Sequence, residues 1–377
     1  MPEPTDLVVQ PFTVHIPTEA VEDLRDRLSR TRFPVPAPDD AWDYGTPTRY
    51  LQQMVQAWRD LDWRTVEDAI NEWPQFRASV DGQTVHFLHV RSTHPDATPL
   101  LLVHSYPGSV LDFLDLIGPL TDPEAHGGRA EDAFHVVIPS IPGSGFSTPL
   151  TEGAWTLPRV ARTFDALMRR LGYQSYGAHG SDWGAMVSRE LAVLDPPGFL
   201  GAHVLQLFSF PSGDPAEFAG LTEDDQAALA FMGWFQQVGG YNTMNSSRPQ
   251  TIAAALADSP VAQLAYNELF ENFGNGTSLL SREQILAQTS LTWLTNTSAT
   301  MVRYYFEDSR TDAEPVASKG RIGVAVFADD FQSVRAFAER DNANIVHWST
   351  FDRGGHYASL EVPDLLSQDL RDFFAVR

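Results

Sequence analysis

The sequence predicts an α/β protein: a mostly parallel central sheet built from βαβ units, an inserted helical block and a helical arm at the front. Two observations predict it. Between residue 76 and about residue 208, short β-rich runs alternate with helical segments, the pattern of a parallel sheet. From 209 to about 317 helix-like patterns with aromatic clusters replace it. The strand signal then returns at Arg321 to Phe327 and Ala343 to Thr350, ahead of a closing amphipathic helix, Pro363 to Phe374. The expected division is an N-terminal arm (1–75), a core in two pieces (76–208 and 318–377) and an inserted cap (209–317).

In the arm, Glu19 to Leu28 and Pro47 to Leu61 carry helical patterns, joined by the proline-rich Phe33-Pro34-Val35-Pro36-Ala37-Pro38. Trp42, Trp58 and Trp63 predict that this arm packs onto another part of the chain. Phe76 to Val80 and Val85 to Val90 flank Asp81-Gly82, a hairpin signal. Strands are expected at Leu100 to His104, His135 to Pro139, Ser175 to Ala178 and Gly201 to Leu207, with helices between most of them. A helical block inserted into such a sheet belongs over the carboxyl ends of its strands, where open α/β sheets place their ligands.

Composition removes several function classes. The 377 residues contain no cysteine, which excludes disulfides, thiolate catalysis and zinc-thiolate or iron–sulfur sites, and fits a reducing cytoplasm. One lysine, Lys319, leaves little room for Schiff-base or P-loop chemistry. A formal charge of −23 argues against nucleic acids and anionic membrane surfaces as partners. Met1 to Gln10 is polar and acidic, without the apolar run of a signal peptide, and no stretch has the 18 apolar residues of a membrane helix. The expectation is a soluble, cytoplasmic protein acting on a small molecule; a homodimer is compatible with the sequence but not specified by it.

The chemistry starts at His179-Gly180-Ser181-Asp182-Trp183-Gly184. A short strand precedes it and a helical pattern, Ala185 to Val193, follows. A strand, a sharp Gly-x-nucleophile-x-Gly turn and a helix form a nucleophile elbow, which lifts one side chain at the strand's end. In register, that residue is Asp182, and Ser181 is the one before it. A carboxylate nucleophile attacks carbon to give an ester, so its targets are strained or activated C–O and C–halogen bonds. Taken alone, the same residues also read as an ordinary turn.

Three further constellations stand in the order expected of such a site. His104-Ser105-Tyr106-Pro107-Gly108-Ser109 follows a strand, and the backbone N–H groups of Tyr106 and Trp183 can converge as an oxyanion hole. Pro107 after an aromatic residue is a candidate cis peptide. Phe351-Asp352-Arg353-Gly354-Gly355-His356-Tyr357 follows the last strand, and His356 is the one histidine of eleven behind a glycine pair. It offers a base of near-neutral proton affinity; His86, His89, His126 and His203 read as ordinary core or surface residues. Ala328-Asp329-Asp330 supplies a carboxylate to hold the imidazole tautomer, with Asp330 favoured over Asp329, although paired aspartates are also common turn residues.

With these residues in view, the chain resembles the microsomal-type epoxide hydrolases of the α/β-hydrolase superfamily. The resemblance rests on HSYPGS, GSDWG, FADD and GGHYASLEVPDLL, on an N-terminal meander from Pro11-Phe12-Thr13-Val14 through Leu28, and on Gly240-Tyr241 and Asp258-Ser259-Pro260-Val261. It implies an α/β-hydrolase fold with a helical cap and a meander. It also implies hydrolysis of an epoxide to a vicinal diol through an aspartyl ester, without metal or organic cofactor. Asp182 is then nucleophile, His356 base, Asp330 its partner, and the amides of Tyr106 and Trp183 the oxyanion hole. Two cap tyrosines act on the epoxide oxygen; Tyr241 and Tyr305 match those places, with Tyr304 one residue from the second. Three positions depart from the family pattern: Ser105 where glycine is usual, Tyr106 where tryptophan is common, and Asp330 where members closest to the vertebrate enzymes often have glutamate. Without the anchor of the vertebrate members, the chain looks like a soluble bacterial relative.

Tyr106, Trp183, Trp234 and Phe231 are expected to line an apolar or aromatic substrate pocket, although core packing explains such residues equally. Three alternatives stay open. A haloalkane dehalogenase shares the aspartate, the following tryptophan and the histidine, but not the long arm. A non-catalytic ligand-binding member of the superfamily would bind without turnover. A serine esterase would need Ser181 at the elbow.

Overall fold

The computed structural model describes residues 8–150, 152–311 and 316–375. Residues 1–7, most of the segment read for a signal peptide, lie outside that set. Among the described residues nine strands form one sheet: β1 (Gln10–Phe12), β2 (Gln75–Val80), β3 (Gln83–Val90), β4 (Thr98–Val103), β5 (Phe134–Pro139), β6 (Tyr176–Gly180), β7 (Phe199–Val204), β8 (Ile322–Asp329) and β9 (Ile345–Gly355). Their spatial order is β1-β2-β3-β5-β4-β6-β7-β8-β9. The first three pairings are antiparallel and every pairing from β5 onward is parallel. This is the α/β-hydrolase arrangement, and the mostly parallel sheet agrees with the sequence reading.

The hairpin at Asp81-Gly82 forms because both residues take positive φ, 51° and 73°, in a two-residue connection between β2 and β3. Three elements escaped the sequence reading or extend beyond it. β1 has only three residues, and the helix Trp63–Asn71 carries its own N-cap, the Asp62 side chain accepting from Arg64 N–H. β9 runs to Gly355, five residues past the run read as strand, and so delivers His356 directly from the sheet.

The arm contributes α1 (Thr18–Ser29), α2 (Thr48–Asp60) and α3 (Trp63–Asn71). Core helices α4 (Leu114–Thr121), α5 (Leu157–Arg170) and α6 (Trp183–Leu194) follow. Between β7 and β8 come α7 (Glu223–Val238), α8 (Gly240–Ser247), α9 (Pro249–Asp258), α10 (Pro260–Tyr266), α11 (Arg282–Leu294), α12 (Ser298–Met301) and α13 (Arg303–Asp308). The chain closes with α14 (Arg335–Asp341), α15 (Ala358–Glu361) and α16 (Pro363–Ala375). The sheet is covered on both faces. On one, Phe164, Leu167, Val187 and Leu191 of α5 and α6 pack with Val103 and Ala178; on the other, Leu116, Ile117, Leu366 and Leu370 of α4 and α16 pack with Leu100 and Val136.

The tryptophans of the arm meet the inserted helices. Trp58 on α2 is buried and donates its indole N–H to Ser290 Oγ of α11 at 2.6 Å, within a cluster that joins Leu24 and Leu28 to Ile285 and Leu286. Burying a large ring while satisfying its one donor is the arrangement a tryptophan needs in a core. The arm therefore ties the inserted helices down from outside.

Candidate active site

The elbow forms where β6 runs into α6. Asp182 takes φ 51° and ψ −118°, a strained backbone for a side chain, directly before the first helical residue, Trp183. The glycines on either side are required by contact. A Cβ on Gly180 would stand 2.2 Å from the Gly184 carbonyl carbon, and one on Gly184 would stand 1.9 Å from Val103 O. No larger residue fits, so strand β6, strand β4 and helix α6 can approach only with glycine at both places.

The loop after β4 comes to the same point. Tyr106-Pro107 is cis, and Tyr106 N–H donates to Asp182 Oδ1 at 3.0 Å. The N–H groups of the first turn of α6, Trp183 first among them, have no intrahelical acceptor and face the same end of the helix. Ser105 does not crowd this place. Its Oγ and its N–H both donate to Asp112 Oδ2, at 2.8 and 3.0 Å, which turns the side chain away. Asp112 is buried and in turn accepts from Gln288 Nε2 on α11 at 2.6 Å. Burial outweighs these hydrogen bonds and pushes the Asp112 carboxyl up to about 6.

From the far side of the sheet, β9 brings His356 and the end of β8 brings Asp330. His356 Nδ1 lies 2.8 Å from Asp330 Oδ1, and His356 Nε2 lies 3.7 Å from Asp182 Oδ2. Both His356 and Asp330 are buried, whereas Asp329 is exposed and takes no part. Burial disfavours charge on His356. The charges of Asp330 and Asp182 and their hydrogen bonds outweigh it and hold the imidazole up at about 10.

The cap completes the site. Tyr241 on α8 and Tyr305 on α13 meet edge to face, ring centroids 5.9 Å apart at 90°, and Tyr106 and Trp183 stack beneath them at 5.0 Å. Burial raises the proton affinity of both cap phenols, and the Asp182 charge raises it further, so they remain protonated far above neutral pH. Tyr304 points elsewhere: it is buried and donates its hydroxyl to Pro142 O at 2.8 Å.

A cavity of about 380 Å³ joins these groups. Asp182, Trp183, His356, Tyr241 and Tyr305 line it, with Phe208, Phe235, Phe273, Phe331 and Met232 forming its apolar wall. Met186 and Phe210, 38% and 47% exposed, mark its mouth. Ser181 is not on its wall. Two expected lining residues are displaced. Phe231 and Trp234 stand behind the wall, Phe231 packing on Phe273 and Phe331 at 5.6 and 6.0 Å and Trp234 on Phe231 at 5.4 Å. Phe231 and Phe235 are one turn apart on α7 and both pack on Phe273. Phe231, however, is covered by Phe273 and Phe331, which themselves form the wall, so only Met232, Phe235 and Gln236 of this part of the helix reach the cavity. The Tyr106 ring also lies off the wall, wedged against Trp183 and Tyr305. Gln206, which the sequence reading did not single out, sits among the three polar residues: its Oε1 accepts from Asp182 N–H at 2.8 Å and its Nε2 donates to Asp330 Oδ2.

Comparison with known proteins shows the family. Residues 9–113 match the family model described as the epoxide hydrolase N terminus, and residues 98–315 match the alpha/beta hydrolase fold. The chain is 41% identical over 376 residues to a Stigmatella aurantiaca (strain DW4/3-1) protein named "Putative epoxide hydrolase", covering 97% of this chain and 84% of that one. It is 31% identical over 406 residues to epoxide hydrolase 1 of Sus scrofa, covering 98% and 89%. The solved structure of Aspergillus niger epoxide hydrolase superposes with a TM-score of 0.85 at 29% identity, covering 98% of this chain and 97% of that one. Among the described residues, no helix is long and apolar enough to cross a membrane. The chain belongs to the epoxide hydrolases of the microsomal type, with the α/β-hydrolase fold, and hydrolyses epoxides to diols.

Proposed function

We propose that Asp182 is the nucleophile and that the reaction passes through an aspartyl ester, with an apolar or aromatic epoxide as substrate. The observation that carries this is one cavity in which Asp182, backed by His356 and Asp330, faces two phenols. Tyr241 and Tyr305 hold the epoxide oxygen. Asp182 Oδ2 attacks one ring carbon, the C–O bond breaks, and a phenol donates its proton to the departing alkoxide, for which a group of pKa near ~10 or above is acidic enough. Asp182 Oδ1, already held by Tyr106 N–H, becomes the ester carbonyl oxygen.

His356 then takes a proton from water, and the water oxygen adds to the Asp182 carbonyl carbon. The N–H groups of Tyr106 and Trp183 stabilise the tetrahedral oxyanion. Collapse breaks the ester bond, the departing alkoxide takes the proton of the added hydroxyl, and the diol leaves with the carboxylate restored and His356 protonated as at the start; the sum is epoxide plus water. Proton supply also balances. The resting imidazolium is held by two carboxylates, and once one is an ester its proton is free to return, through solvent, to the phenolate left by ring opening. This chemistry needs neither metal nor organic cofactor.

The substrate class follows from the wall, where Phe208, Phe235, Phe273, Phe331 and Met232 favour apolar groups over polar ones. The test is intact-protein mass spectrometry on His356→Gln after exposure to aryl and alkyl epoxides and to haloalkanes. A mass gain equal to a whole epoxide, on the peptide containing Asp182, is expected. An adduct on another residue, or an alkyl gain from haloalkanes alone, would overturn the reading.

A further inference from the structure

We propose that Gln206 is a positioning residue that locks the nucleophile's backbone to the acid behind the base, an inference that rests on the site roles given above. Gln206 lies two residues beyond β7 and is 1% exposed. Its neighbours fix its place: Leu205 N–H donates to Gly180 O at 3.3 Å, and Leu207 N–H donates to Ser333 Oγ at 2.9 Å. The side chain therefore projects from a pinned backbone between the elbow and the end of β8.

The orientation of its amide is dictated by its partners. Asp182 N–H is a donor, so the group 2.8 Å from it must be the carbonyl oxygen Oε1. That leaves Nε2 facing Asp330, donating to Oδ2. Asp330 Oδ1 is taken by His356 Nδ1 and by Phe331 N–H, at 2.8 and 2.6 Å. Nε2 also stands 3.3 Å from His356 Nδ1. Two donors cannot share one proton, so this approach is acceptable only while the Nδ1 proton points at Asp330. One amide thus does three things. It satisfies the Asp182 N–H, it donates to the second oxygen of Asp330, and it holds His356 with Nε2 towards the nucleophile.

The consequence reaches both half-reactions. Ester formation depends on where Asp182 is held, and ester hydrolysis depends on the tautomer and proton affinity of His356. Gln206→Met removes acceptor and donor together. It leaves the Asp330 charge undivided and removes the positive end of an amide dipole from beside the imidazole, both of which favour imidazolium. Gln206→Glu keeps an acceptor for Asp182 N–H but sets a second acid beside Asp330.

Single-turnover kinetics on both variants test this, with ester formation and ester hydrolysis followed separately across pH. For Gln206→Met both rates should fall about tenfold or more, as displacement of reacting groups by a fraction of an ångström produces. KM should change less than kcat, and the acidic limb of the hydrolysis step should move to higher pH. For Gln206→Glu the formation rate should recover in part, while the limb moves further in the same direction. A residue that only fills space would lower the melting temperature and leave the limb in place. If wild type forms its ester on Asp182 and both variants keep the wild-type limb and rates, the Gln206 inference fails alone. If wild type forms no ester on Asp182, the site reading itself fails. Should Gln206→Met not fold, the near-isosteric Gln206→Glu carries the test.

Discussion

His356 Nε2 stands 3.7 Å from Asp182 Oδ2, while its Nδ1 lies 2.8 Å from Asp330 Oδ1, so one buried imidazole is shared by two carboxylates. Two negative charges against one positive charge leave this group net negative in the resting enzyme. The base is thus not free at the outset. In the proposed mechanism it becomes free when Asp182 is converted to a neutral ester, which orders the two half-reactions by electrostatics.

The first prediction follows from that order. Asp182→Asn removes one carboxylate and imitates the charge state of the ester. The His356 value, held at about 10 in the wild type, should fall. A unit charge about 4 Å away at an effective dielectric near 20 is worth about 4 kcal/mol, so the fall should be about one to three pH units. The sign for stability is the same: the folded value lies above the unfolded value near ~6.5, so the pairing stabilises fully below that pH and is lost as pH rises through about 10. Titration of the His356 imidazole by NMR in both proteins measures it. An unchanged midpoint would show that Asp182 does not hold the proton on His356.

Tyr241 and Tyr305 should share the work on the epoxide oxygen. Their rings meet at 5.9 Å, and each shifts the other's proton affinity, down at Tyr241 and up at Tyr305. Positioned proton donors contribute about 10²- to 10⁴-fold, so each single Phe variant should lose about ten- to a hundredfold in kcat/KM and the double variant most of the remainder. Ester formation should slow, while hydrolysis of an ester already formed should not. Phe variants that form ester at the wild-type rate would remove the phenols from ring opening.

The cavity should reject charged substrates. Among the described residues its wall carries Asp182 and Asp308 but no arginine or lysine, and burial pushes the Asp308 carboxyl up to about 6. A buried carboxylate on the substrate would meet like charge from Asp182, and the one cationic group on the wall, the His356 imidazolium, is already held by Asp182 and Asp330, so the cost is several kcal/mol. An aryl epoxide bearing a carboxylate should therefore show kcat/KM lower by about 100-fold than its methyl ester. Equal rates would mean that the substrate lies elsewhere.

Much of this site was legible in the sequence because backbone geometry constrained it locally. Gly180 and Gly184 cannot hold a Cβ, Asp81-Gly82 makes a turn only a few residue pairs allow, and His356 follows a strand end. The rest depends on contacts between distant segments. Gln206 and Asp330 are 124 positions apart, and Asp112 and Gln288 are 176 apart, so no local pattern announces either pair. Phe231 and Trp234 read as lining residues because α7 carries apolar side chains on more than one face, and only packing shows that Met232 and Phe235 reach the cavity while Phe273 and Phe331 cover Phe231. A stretch with two candidate faces leaves its register to its partners.

A last prediction concerns stability far from the cavity. Asp369 on α16 is 4% exposed and accepts from His203 Nε2 and His347 Nε2, both at 2.8 Å, and from Ser349 Oγ at 2.6 Å. Burial alone would raise its carboxyl. The hydrogen bonds from His203 and His347, the charge of His203 and the bond from Ser349 reverse this and hold it well below the usual carboxylate range. The same hydrogen bond, against partial burial, raises His347 above its ordinary value. The signs differ. The Asp369 contribution is present above about pH 4 and is lost as pH falls through its depressed value, whereas that of His347 is present below about 6.5 and fades as pH rises through its elevated one. The network is therefore fully formed between those limits. Asp369→Asn leaves its partners without an anion, and breaking such a buried group costs about 3 kcal/mol. Denaturant unfolding near pH 6 should show that loss, while kcat of the folded enzyme stays at the wild-type value because no residue of the network touches the cavity. A loss below about 1 kcal/mol, the range of exposed ion pairs, would mean that these histidines merely pack beside Asp369.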